Sequence, residues 1–246
     1  MWTFVFSLST RIMSISLSFS GTHSILHADF NPPIELEKDV SYEVGLLSFV
    51  AYNSIPNVDE TNNMFHFDDD HFVELPPGTY EVQDIAKFIE EAVSKHSYSK
   101  KRYYVKITPN NNTMVTTLRS TVKVDFTREN TIGSLLGFKK EVIPPEQVTV
   151  SQSVIDVFKV NTIRVECSIA SGSYLNGRAL HIVHEFFPDT PAGYKIVERP
   201  SPVIYLPVVP TTIDSITIRV LDQTGKLINF RGETIDIRLH LRKVSG

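Results

Sequence analysis

The sequence predicts an all-β fold, a single jelly-roll β-sandwich with an inserted small α+β subdomain. Three observations predict it. Short apolar runs alternating with polar residues recur along the 246-residue chain, the pattern of strands with one dry and one wet face. Fourteen prolines and eleven glycines are spread among those runs, which favours many turns over long helices. Only one stretch carries a long helical period, and it lies between 72 and 140. The chain therefore divides into a first jelly-roll part at 13–71, an α+β insertion at 72–140 and a second jelly-roll part at 141–243.

The first residues, Met1-Trp2-Thr3-Phe4-Val5-Phe6-Ser7-Leu8, are apolar enough to suggest a signal peptide. Against that, no Lys or Arg precedes the run, Arg11 interrupts it, and no span approaches the ~20 apolar residues that cross a bilayer. Met13 reads as an alternative start, with the first twelve residues as an upstream extension. Ile15, Leu17 and Phe19 then alternate with serines, as in a half-buried strand. The segment 29–34 reads as a connector, because Pro32 and Pro33 exclude a central strand. From Tyr42 to Tyr52 a continuous apolar middle at 44–50 suggests a strand buried on both sides. A short strand follows at 64–67, before the acidic Asp68-Asp69-Asp70.

Within the insertion, Leu75-Pro76-Pro77-Gly78 forms a turn. After it Val82, Ile85, Ala86, Ile89 and Val93 fall at helical spacing, with Glu81 and Asp84 in the first turn where they complement the helix dipole. Residues 103–108 and 114–118 read as a hairpin around the Asn110-Asn111-Asn112 turn, followed by a strand at 122–126. The segment 130–137 reads as one capped helical turn ended by Gly137. Strands resume at 163–169, 180–187, 194–197 and 203–208. At the C-terminal end, Ile216, Ile218 and Val220 alternate with polar partners up to the turn Asp222-Gln223-Thr224-Gly225. Ile235, Ile237, Leu239 and Leu241 then alternate in their turn. These two runs read as an antiparallel pair that lays its apolar face on another sheet. About eight core strands interrupted by one insertion suggest the two-sheet jelly roll.

Composition narrows the function. A net charge of −4 gives no general electrostatic reason to bind nucleic acid. A single cysteine, Cys167, excludes an intrachain disulfide framework. It falls on the apolar face of its strand, where a small buried hydrophobe is favoured over an activated thiolate. His181, His184 and Glu185 resemble a metal cluster, yet His181 and His184 point to opposite faces of a strand, and His181 and Glu185 lie ~13 Å apart along one. One ion cannot take all three. The run His66-Phe67-Asp68-Asp69-Asp70-His71 lacks a calcium-loop pattern and reads as a solvated acidic loop. Lys100-Lys101-Arg102-Tyr103-Tyr104-Val105-Lys106 mixes basic and aromatic residues as single-strand-binding surfaces do, but fits the exposed face of a hairpin better. Asn111-Asn112-Thr113 is a glycosylation sequon, of use only in a secreted chain. No phosphate loop, nucleophile elbow or catalytic triad stands out.

Several segments carry a family resemblance. They include Tyr42-Glu43-Val44-Gly45-Leu46-Leu47-Ser48-Phe49, Tyr52-Asn53-Ser54-Ile55-Pro56-Asn57 and Leu75-Pro76-Pro77-Gly78-Thr79-Tyr80. Others are Ser134-Leu135-Leu136-Gly137-Phe138, Arg164-Val165-Glu166-Cys167-Ser168-Ile169, Ile204-Tyr205-Leu206-Pro207-Val208 and Asp222-Gln223-Thr224-Gly225-Lys226-Leu227-Ile228-Asn229-Phe230-Arg231-Gly232-Glu233. In this order they resemble the minor capsid, or penton, proteins of Maverick/Polinton elements and adintoviruses. The resemblance implies a single jelly roll forming homopentamers at the fivefold vertices of an icosahedral shell, beside a separate double-jelly-roll major capsid protein. It implies a place in the virion, assembled in the nucleus or cytoplasm of the host cell. It supplies no catalytic residue, cofactor, metal or small-molecule substrate, and no sequence-specific nucleic-acid or membrane partner. Exposed loops, notably the proline-flanked 187–194 region and the insertion, are expected at the ends or outer surface of such a ring. Two other classes fit the residues less well. One is a secreted jelly-roll module binding carbohydrate or a receptor, with a glycan on Asn111. The other is a cupin-like metalloenzyme using His181 or His184.

Overall fold

The computed structural model describes residues 14–97, 102–157 and 159–244. The apolar N-terminal run, Met13, Lys100 and Lys101 lie outside the described residues. The chain begins with β1 (Ser14–Gly21), β2 (Ile25–Glu35) and β3 (Tyr42–Tyr52). It continues through β4 (Met64–Phe67), β5 (His71–Glu74), helix α1 (Val82–Ser94), β6 (Val105–Asn110), β7 (Val115–Ser120), β8 (Val124–Asp125), β9 (Val142–Ile143) and β10 (Val148–Val150). The last stretch holds β11 (Ile163–Cys167), β12 (Ser173–Leu175), β13 (Arg178–Leu180), β14 (Ile182–Phe186), β15 (Lys195–Glu198), β16 (Leu206–Pro207), β17 (Thr212–Leu221) and β18 (Ile235–Lys243). Two compact units result, one made of the chain up to Asn53 together with Val160 onward, the other of Ser54–Lys159. The second is wider than the 72–140 span the pattern suggests. Its strands extend the sequence period at both ends, β4 pairing with β8 and β10 with β7.

The first unit is a jelly-roll sandwich. One sheet runs β1-β18-β3-β15, with β16 also on β3, and the other runs β14-β11-β17-β2. Apart from β16, the first strand of these sheets pairs with the last (β1 with β18), the second with the second-last (β2 with β17), β3 with β15, and β11 with β14. This is one long antiparallel ribbon rolled over on itself. The alternation read from sequence sets its faces: Leu17 and Phe19 of β1, Ile235, Ile237, Leu239 and Leu241 of β18, and Ile216, Ile218 and Val220 of β17 are all buried. Burying each such side chain contributes about 1.5–3 kcal/mol. Across the core, the ring of Phe49 on β3 lies 5.2 Å from Phe186 on β14 and 6.2 Å from Phe230.

Three expectations need correction. The 216–221 and 235–241 runs do not pair with each other; β17 lies between β11 and β2, and β18 between β1 and β3. The 222–234 connector is long enough to cross from one sheet to the other. It is pinned where Asp222 Oδ1 accepts from the amides of Thr224 and Lys226 at 2.7 and 3.0 Å, and it buries Ile228 and Phe230. Second, the 29–34 segment is not a connector but part of β2. β2 is an edge strand, the one place in a sheet where proline is tolerated. Third, only Leu206–Pro207 of the expected 203–208 strand pairs with β3. Residues 203–205 instead cross the outer face of the sheet at Gly45, where a Cβ would stand 2.7 Å from the Ile204 carbonyl oxygen. Only a residue without a side chain admits so close a backbone approach.

In the second unit, α1 buries Val82, Ile85, Ala86, Ile89 and Val93, the five positions the helical spacing selects. They pack with Phe65, Phe67, Leu118 and Phe126 into one core. The β6–β7 hairpin turns where Asn110 Oδ1 accepts from the amides of Asn112 and Thr113 at 3.0 and 3.1 Å. The 130–137 segment forms its single turn, with the Leu136 amide donating to Ile132 and the turn ending at Gly137 at φ +86°.

Asp125 anchors the loop after β8. Burial works against its charged form, but the Thr127 hydroxyl and amide and Arg128 Nε outweigh it and hold the carboxyl below its ordinary range. Asp59 is likewise held low, against burial, by Lys159 and Thr61. A carboxyl depressed by folding contributes stability above its unfolded pKa, and that stability is lost as pH falls through the folded value. His66, held below its ordinary range by burial and Arg128, is expected to make the unit lose stability as pH falls below about 6.5, and the carboxyls to add a further fall in the unfolding midpoint below about pH 4. Asp125→Asn should flatten that fall in a urea titration repeated across pH.

Candidate functional site

The structure does not gather the residues singled out in the sequence into one centre. His181 precedes β14 and its Nδ1 lies 2.5 Å from the Ala170 carbonyl oxygen. His184 Nε2 lies 2.9 Å from Glu198 Oε1, whereas Glu185 accepts from Arg164 Nε at 3.1 Å. The three side chains thus serve three different partners. Among the described residues no group of three His, Cys, Asp or Glu is placed to hold a metal ion. Around the acidic loop, Tyr103 donates to Asp68 at 2.9 Å and Lys123 to Asp69 at 2.6 Å. The rings of Phe67, His71, His96 and Tyr103 pack beside it. Of the basic run, Tyr103 and Val105 are buried while Arg102, Tyr104 and Lys106 are exposed, the alternation of a hairpin with one wet face. Lys106 pairs with Glu90 at 3.3 Å. Asn111 is exposed in the β6–β7 turn. No helix among the described residues is long and apolar enough to cross a membrane.

Cys167 is buried against β17 and desolvation pushes its thiol up to about 11. Since the thiolate is the reactive form, Ellman's reagent is expected to leave Cys167 untouched at pH 8 in the folded protein and to titrate one thiol per chain in denaturant. Rapid reaction of the folded chain would place this strand at the surface.

What the sandwich does present is two unlike flanks. On one, the edge strands β1 and β2 part to leave a cleft of about 370 Å³, lined by Ser18, Ser20, Thr22, His23, Ile25 and His27 over the buried Phe19 and Leu26. Among the described residues no Lys, Arg, Asp or Glu lines it. On the other flank β14 and β15 are tied by the His184–Glu198 contact. The chain between them turns outward, held by the Asn53 side chain donating to the Thr190 carbonyl and the Asn53 amide to that of Tyr194. This turn displays Phe187 at 76% and Tyr194 at 67% exposure, beside the exposed Tyr52 and Val197. Lys195 Nζ sits 5.3 Å from the centre of the Tyr52 ring. Sequence reasoning marked this loop as exposed but missed its aromatic character as a feature. Phe187 and Tyr194, set in a Pro-rich and Gly-containing stretch outside any alternating run, were the available signal. The cleft had none, because it is made by two edge strands that do not pair.

The fold matches that of the crystal structure of selenomethionine-labelled mavirus penton protein, at TM-score 0.51 and 10% identity, covering 94% of this chain and 100% of that one. The likeness is one of fold. It spans the whole mavirus chain and agrees with the jelly-roll pairing described above. A chain from the cryo-EM structure of the Sputnik virophage gives TM-score 0.48 at 14% identity, over 94% of this chain and 98% of that one. No family model matches the sequence, and no curated protein matches it.

Proposed function

We propose that this protein is a structural subunit of a viral shell, a penton-type minor capsid protein of the Maverick/Polinton and adintovirus kind. In this reading it forms homopentamers at the fivefold vertices of an icosahedral particle, abuts a double-jelly-roll major capsid protein, and carries out no chemical reaction. It is assembled inside the host cell and resides in the virion. The observation that carries the reading is the rolled-ribbon strand order, extended over the full length of a mavirus penton protein by the fold likeness. The ordered segments that resemble Maverick/Polinton pentons support it independently.

Physics supports a ring as well. The two flanks are unlike each other, and a contact of one flank with the other is head to tail; such contacts close into a ring when the rotation closes. A permanent ring requires on the order of 2,000 Å² or more buried per interface, much of it apolar. Native mass spectrometry of the full chain is expected to give a species of five times the 27.8 kDa subunit mass, with dissociation only at low concentration. A protein that stays monomeric at ~100 μM, well above the range in which an interface of that size dissociates, overturns the reading.

A further inference from the structure

The two unlike flanks of the sandwich are matched in height. Partners across a sheet lie side by side, perpendicular to the strands, so register can be read as level. Gly21 at the end of β1 pairs with Ile235, Asp236 with Val50, and Val50 with Val197. The closed end of the cleft and the start of β15 therefore stand level on opposite edges of one sheet. In the other sheet, Phe186 at the end of β14 pairs with Ile163, and the neighbouring Arg164 with Leu221. The Val220 amide in turn donates to the Ser24 carbonyl. The step from Phe186 to the exposed Phe187 thus stands level with the hairpin that bounds the cleft. Contacts between patches at different heights would climb into a helix, whereas a closed ring requires them at one height.

The chemistry is matched too. One flank projects aromatic side chains, and the other recedes into a cleft walled by Ser, Thr, His and Ile side chains. Among the described residues the lining holds no Lys, Arg, Asp or Glu, so an aromatic ring entering it buries none of these charges directly, the nearest being Asp29 on the far side of His27. Aromatic side chains are enriched at the cores of interfaces, tyrosine among the commonest anchors, and a tyrosine hydroxyl finds partners among Ser, Thr and His. The volume suits one or two such side chains rather than a folded element.

We propose that the 187–194 turn of one subunit seats Phe187 and Tyr194 in the β1–β2 cleft of the next copy, and that this repeated contact closes the ring. The inference rests on the ring reading above and assigns its contact. Two variants test it. Phe187→Asp with Tyr194→Asp removes the projection and leaves the cleft; Ser20→Arg obstructs the cleft and leaves the projection. Each alone is expected to raise the concentration for half-assembly about thirtyfold or more. Mixed one to one, they should form a heterodimer and nothing larger, because one projection and one cleft remain intact between them. In parallel, Ser20→Cys with Tyr194→Cys should give, on mild oxidation, a ladder of disulfide-linked chains ending at the ring, which does not depend on a destabilising change. If the wild type forms rings and both blocking variants still do, or the cysteine pair yields no ladder, this contact is wrong while the ring stands. If the wild type forms no ring, both ideas fall together.

Discussion

Phe49→Ala is expected to destabilise the sandwich unit by about 3–5 kcal/mol, the range for an aromatic ring removed from a packed core. Phe49 is completely buried in the central strand β3, and its ring meets Phe186 from the facing sheet and Phe230 from the connector that crosses between sheets. Three separate parts of the ribbon thus converge on one side chain. The cavity left behind cannot collapse, because its walls are β-strands held in register on both sides. Amide exchange in β3 and β18 should accelerate about a hundredfold or more at that loss of stability, while Phe49→Leu, which refills part of the space, should lose clearly less. A loss below about 1 kcal/mol for the alanine variant would mean that the two sheets are not joined through this ring.

The second large effect belongs to the other unit. Gly137→Ala is expected to cost roughly 2–5 kcal/mol, combining the penalty of a left-handed backbone for an L-residue, about 1–2 kcal/mol, with overpacking of about 1–3 kcal/mol. Gly137 sits at φ +86°, and a Cβ there would stand 2.3 Å from the Ser153 carbonyl oxygen. That carbonyl is backbone, and the same segment is fixed by the Ser153 amide donating to Gly137 at 3.0 Å, so it cannot step aside. Gly225 is the control: its φ is +83°, but its surroundings are open. Gly225→Ala should show the conformational part alone. Equal losses for the two variants in denaturant titrations would remove the steric part of the account.

The contrast between those positions marks what could be read from residues alone. The turn ending at Gly137 was legible, since Asn130, Thr131 and a terminal glycine form a local capping pattern. Helix α1 and the dry face of β18 were legible for the same reason, each being a period written along consecutive residues. Which strand lies beside which was not. Ile216 to Leu221 and Ile235 to Leu241 show the same alternation whether they pair with each other or sit in opposite sheets, and a connector of this length permits both. The edge position of β2 was hidden too, because proline argues against a strand only where both sides are paired. Of the candidate surface, the projecting loop was visible as a proline-flanked break, and the cleft came into being only when β1 and β2 took their places at the rim of two different sheets.

The strand order has a consequence for how the polypeptide is made. Residues 54–159 form a contiguous unit whose strands pair with one another, and it closes once the ribosome has passed it. The sandwich does not, because β1 and β3, which leave the ribosome earlier, both await β18. Until residues 235–243 leave the exit tunnel, the early strands carry open edges of the kind that invite wrong pairing. The nascent chain thus completes residues 54–159 before the strands that precede them, and the emergence of β18 is the event that lets the sandwich close.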